Sequence, residues 1–213
     1  MPTTSARDNA FVIAAASFAL TSVAIFAMIC MAAQFARPDL DPAAAPLSFY
    51  LVGRFGAIVR AAYYLLAAGL IAFGCVAYRA SDARLRSALP MQLFVAAGLA
   101  LAPVAASAPL GVDGAPHAEL ARFVHGVAAQ ATFLSVTVAM LLQSWRWWND
   151  AAFASGRRFR LLLAATAFAA LWVNALARVG PRGAMQKGLI VLILVWLAGA
   201  SWRVLRVLRS PPA

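Results

Sequence analysis

Six stretches of about twenty or more predominantly apolar residues constrain this chain more than any other feature. They run Phe11–Gln34, Gly56–Tyr78, Ala88–Leu110, Pro116–Ser144, Phe159–Val179 and Ala184–Val207. Each is long enough to cross roughly 30 Å of hydrocarbon as an α-helix, which rises about 1.5 Å per residue. The segments between them carry turn chemistry: RPDLDPAAAP, RASDARLRS, GVDGAP, RWWNDAAFASGRR and GPRG. A mean hydropathy of +0.81 with 12% charged residues excludes an ordinary soluble domain, which needs about twice that charge to cover its surface. The expected fold is therefore all-α: a polytopic bundle of six transmembrane helices forming a single domain over residues 1–213.

The charge pattern orients the bundle. Seventeen of the eighteen basic residues are arginine, and most stand at the ends of apolar runs, which suits topology signals and lipid headgroups rather than nucleic acid. Eleven fall on the side of the two termini and of the second and fourth loops: Arg7, Arg79, Arg84, Arg86, Arg146, Arg157, Arg158, Arg160, Arg203, Arg206 and Arg209. Five fall on the opposite side: Arg37, Arg54, Arg178, Arg182 and Lys187. Positive-inside reasoning puts both termini in the cytoplasm of a bacterial inner membrane, with Trp145, Trp147 and Trp148 at the inner interface. The first segment is too long for a signal-peptide core of about 7–15 residues and reads as an uncleaved span. Cys30 and Cys75 fall near opposite faces, so no disulfide is expected.

The polar residues collect on the outer side. PLGVDGAPHAELARFVHG, Pro109 to Gly126, holds both histidines, two of the seven acids and an arginine. Pro116 suits the first turn of a helix, and Glu119 complements its dipole and stands one turn before Arg122. Arg122, His125, Ala129 and Thr132 share a helical face. Arg60 lies five residues inside the second span, on a stripe of Gly53, Gly56, Tyr63, Ala67 and Gly74 that allows close helix approach. Arg178 closes the fifth span with Asn174 a turn below, and Gln186 opens the sixth. The run LSFYLVGRFG, Leu47 to Gly56, reads as an interfacial or re-entrant segment bringing Ser48 and Tyr50 to the outer rim. Intramembrane ionisable residues are costly and usually face the bundle interior, so Arg60, Asp113, Arg122, His125, Arg178 and Gln186 on one side form a candidate site. The bland alternatives are arginines that snorkel to headgroups, a histidine that bonds a neighbouring helix, and an Asp113 that only shapes its turn.

LSFYLVG (Leu47–Gly53), the pair Asp113 and His125, and GAMQK followed by Trp196 and Arg203 occur in that order. The chain resembles the six-span bacterial and archaeal membrane proteins catalogued as the domain of unknown function 998 family, over roughly Pro38 to Leu208. The family pattern is matched at Ser48, Tyr50, Gly53, His125, Gly183, Gln186 and Lys187. Its acidic turn departs here, because three residues separate Pro109 from Asp113. The resemblance implies six spans and an outward polar cluster, and it implies no activity.

Four functions compete. An outward pocket could bind or conduct an anionic small molecule or lipid headgroup, with Arg60, Arg122 and Arg178 supplying charge and Ser48, Tyr50 and Gln186 fixing orientation. An intramembrane lipid hydrolase or transferase would use His125 as general base, Asp113 as its partner and Ser48 as nucleophile or substrate contact, although no G-x-S-x-G or H-E-x-x-H is present. A structural or regulatory bundle would need neither. Metal binding ranks last, since His117 and His125 stand about 12 Å apart on one helix, too far to share an ion. Membrane lipids are the expected partners, and no cofactor or metal is expected.

Overall fold

The computed structural model describes residues 3–114, 117–176 and 180–209, with side chains from residue 9. Among the described residues six helices are long and apolar enough to cross a membrane: α1 (Thr3–Ala36), α2 (Gly56–Ala80), α3 (Ala88–Ser107), α4 (Ala118–Arg146), α5 (Arg157–Leu176) and α6 (Arg182–Arg209). The expected spans match these within a few residues except at the first and third. α1 begins well before Phe11, and α3 gives way at Ala108 to a 3-10 turn, Ala108–Gly111. Pro103 inside α3 cannot donate to the preceding turn. Pro116 and Arg178 lie outside the described residues.

Successive helices pack side by side, α6 closes the ring against α1, and it also touches α2 and α4. Lipid tails are as apolar as leucine, so close van der Waals contact rather than water exclusion must hold spans together. The sequence provides for that contact. A Cβ on Gly69 of α2 would overlap Ser22 of α1, and one on Gly98 of α3 would come within 2.5 Å of the Ala67 carbonyl of α2. The core lies between α2, α3 and α6, where Phe73, Phe94, Leu197 and Trp196 are buried.

The termini end is locked by a buried polar network. Trp147, expected at the interface, is fully buried; it stacks on Phe153 with ring centroids 4.1 Å apart and donates its indole N–H to Ser81 Oγ at 2.9 Å. Trp145 stays exposed, and Trp148 lies under Arg157. An indole N–H inside a bundle needs a partner, and Ser81 sits at the end of α2 to supply it. Trp196 donates likewise to Ser144 Oγ and to the Arg160 carbonyl, both at 3.1 Å. Asp150 accepts the Asp82 and Ala152 amides at 3.0 Å, and the Arg160 and Arg203 guanidiniums take the carbonyls of Phe153 and Ala152. Backbone groups of an irregular segment must be satisfied at this depth, and these side chains satisfy them.

Candidate functional site

The opposite, far end is built around loop one. Leu47–Leu51 forms a short 3-10 strap whose Leu47, Tyr50 and Leu51 turn inward and are buried. Burying each leucine relative to water is worth about 1.5–3 kcal/mol, which gives the strap its hold. Its polar ends are met by named partners. Gln186 Oε1 accepts the Leu47 amide at 2.9 Å, and Arg60 Nη1 donates to the Leu51 carbonyl at 2.7 Å. Arg37 reaches across the loop to the Val52 carbonyl at 2.7 Å while pairing with Asp39.

The start of α6 docks against the same loop. The Ala184 amide, one of the unpaired donors at a helix N-terminus, donates to the Ala43 carbonyl at 2.8 Å. Lys187 Nζ donates to the Pro42 carbonyl at 2.6 Å and stands 5.2 Å from the Tyr50 ring centroid. A Cβ on Gly183 would come within 2.5 Å of the Ala45 carbonyl and 2.7 Å of the Ala43 carbonyl, so only glycine allows this approach. The two short motifs LSFYLVG and GAMQK are thus two halves of one joint.

Beneath the strap lies an almost wholly apolar cavity of about 70 Å³ between α2, α3, α4 and α6. Its few polar groups include Ser48, His125, Thr132 and Gln186. Above it, a mouth of about 380 Å³ opens between the strap, the 3-10 turn after α3 and α4, lined in part by Ser48, Ser107, Arg122 and His125. Ser48 and His125 line both spaces and stand where the mouth meets the cavity.

His125 is held by a backbone group. The Val104 carbonyl stands in the last turn of α3, which ends at Ser107. His125 Nδ1 lies 3.0 Å from it. A carbonyl oxygen only accepts, so Nδ1 carries the proton, and in the neutral ring Nε2 is the unprotonated nitrogen.

The remaining expected residues divide. Arg122 pairs with Asp113 at 2.9 Å and with the Gly111 carbonyl at 3.1 Å, whereas Glu119 was its expected partner. Asp113 is therefore committed to Arg122 and fully exposed, and the group that orients His125 is the Val104 carbonyl instead. Arg60 is spent on the strap, and neither it nor Tyr50 lines the cavity or the mouth. Among the described residues the buried Tyr50 hydroxyl has no hydrogen-bond partner, and burial pushes its phenol above the ordinary value. Ser48, Arg122 and His125 share the mouth, while Ser48, His125 and Gln186 share the cavity.

Two residues passed over in the sequence become relevant. Arg182 had weight only as a topology charge, and Gln130 had none; both line a further recess of about 570 Å³ between α4, α5 and α6. The available signal was Gln130 itself, a carboxamide in the middle of an apolar span.

No curated protein and no solved structure matches the chain. The model of the family described as "Protein of unknown function (DUF998)" matches residues 12–203, a stretch that includes the strap, its α6 anchor and both linings of the mouth, and the chain belongs to that family.

Proposed function

We propose that this membrane bundle binds a lipid or lipid-like anion from the far end, with a short apolar segment of it entering the central cavity and its polar head at the Ser48–His125 mouth. One observation carries the reading: the same two polar side chains line an apolar cavity and the mouth above it, where Ser107 and Arg122 add further polar groups. Ligand sites are mostly apolar with a few placed polar groups, and an amphipathic molecule satisfies both halves of this one. Arg122, at the rim, contributes charge partly offset by Asp113. The arginine count supports termini in the cytoplasm and a mouth at the outer face of a bacterial inner membrane.

Native mass spectrometry of the protein released from mild detergent tests this. Wild type is expected to carry a lipid adduct that is lost in Ala129→Phe, which fills the cavity, and weakened in His125→Ala. Adducts at wild-type level in both folded variants would overturn the reading.

A second reading makes the same site a lipid hydrolase or transferase. The observation favouring it is the Nδ1 bond to Val104, which leaves Nε2 as the basic nitrogen of a His125 that lines the same two spaces as Ser48. Bilayer lipids incubated with wild type and His125→Ala would be analysed by mass. Identical lipid profiles in the two samples remove this alternative.

A further inference from the structure

The recess between α4, α5 and α6 lies on the other side of loop one from the mouth. Pro46, just before the strap, lines it, with Gln130 and Phe133 of α4, Asn174 of α5, and Arg182 and Gln186 of α6. Phe133 and Gln186 also line the central cavity, so the recess is a second approach to that apolar space. Its lining is more polar than that of the mouth, which is unusual for spans facing hydrocarbon.

The polar groups present a definite chemistry. Arg182 is exposed and has no carboxylate partner among the described residues, and no acid lines the recess. At the same end Arg122 and Arg37 each already pair with a carboxylate. Gln186 gives its Oε1 to Leu47, which leaves its two amide N–H donors to face a ligand. Asn174 spends its amide nitrogen on the Ala170 and Met185 carbonyls, which leaves its oxygen as an acceptor. Gln130 offers one group of each kind. A guanidinium with amide donors matches a phosphate, and the carboxamide oxygens match hydroxyl groups beside it.

We infer that this recess is a second binding site, for a glycerol phosphate group, and that Arg182 holds the phosphate. The group could arrive as the head of phosphatidylglycerol or as free glycerol phosphate. The site shares Phe133 and Gln186 with the central cavity but no residue with the Ser48–His125 mouth, and its charged group, Arg182, belongs to the recess alone.

The test uses the full-length protein in nanodiscs of phosphatidylcholine titrated with phosphatidylglycerol, with bound lipid read by native mass spectrometry. Wild type selects phosphatidylglycerol, and Arg182→Gln lowers that selectivity about tenfold, as expected for one lost charge-assisted contact. Gln130→Leu lowers it less, and Arg182→Lys keeps part of it. Competition by free glycerol phosphate identifies the headgroup alone as sufficient; binding without such competition identifies the lipid as the source. Ala129→Phe, which closes the central cavity, leaves the selectivity intact, so the two sites fail separately. Three results overturn the inference: wild type that does not distinguish the two lipids, Arg182→Gln and Gln130→Leu that both bind like wild type, or selectivity lost in Ala129→Phe. An equal loss in Arg158→Gln, an exposed arginine at the other end, would show diffuse charge attraction and overturn it too.

Discussion

Gln186 Oε1 accepts the backbone N–H of Leu47 across 139 positions of sequence, at 2.9 Å. One residue therefore anchors the strap and lines both the central cavity and the second recess. The strap is consequently a wall between two approaches to the same apolar space, held from α6, from α2 by Arg60 and from the end of α1 by Arg37.

The joint between loop one and α6 depends on the missing side chain of Gly183. Gly183→Ala sets a methyl group against the Ala45 and Ala43 carbonyls, which are backbone and cannot rotate away. The expected cost is about 1–3 kcal/mol, the usual range for overpacking. Gly188→Ala, on the same helix with open space around it, is expected to be neutral or slightly stabilising. Thermal unfolding in detergent compares the two, and equal midpoints would mean that the joint is looser than the geometry requires.

His125 ties α4 to the end of α3 through a single hydrogen bond. Interhelical hydrogen bonds in membrane proteins average about 0.6 kcal/mol, so His125→Phe is expected to lower stability by no more than about 1 kcal/mol. A folded variant with a small stability change is what makes any loss of lipid binding in His125 variants interpretable. A collapse of the fold in His125→Phe would instead assign this residue to architecture.

The Arg37–Asp39 pair gives the loop a dependence on pH. The Arg37 guanidinium bonds Asp39 and holds its carboxyl below the ordinary value of 3.8. A depressed carboxyl stabilises the fold above its unfolded pKa, near 3.9, and loses that contribution as pH falls through the lower folded value. The prediction is a stability that is flat near neutrality and declines below about pH 4. Asp39→Asn should abolish the part of that decline owed to this pair, as read from unfolding midpoints between pH 3 and pH 7.

Six spans were legible because span length and apolarity are local properties: a helix that satisfies its own backbone needs no partner to be recognised in lipid. Depth along each helix was legible for the same reason, yet the buried polar residues Ser81, Ser144, Asp150 and Arg160 gather at the end opposite the cluster read from the sequence. Partner choice was not legible. Arg122 has Glu119 one turn away along its own helix, yet Asp113 takes it, because the turn after α3 folds back over α4. Trp147 resembles an interfacial belt residue in a run of three tryptophans, and only the approach of Ser81 and Phe153 draws it inside.

The helices and their number can be read along the chain, as can the two short motifs LSFYLVG and GAMQK. What the polar groups do follows from the fold. Arg60 supports the strap, Arg182 lines a recess, and Ser48 lines the same spaces as His125, 77 residues away in the chain. The cause is range. Hydrophobic length acts within a segment, whereas a hydrogen bond or a cavity exists only once separate segments have been brought within a few ångströms of one another.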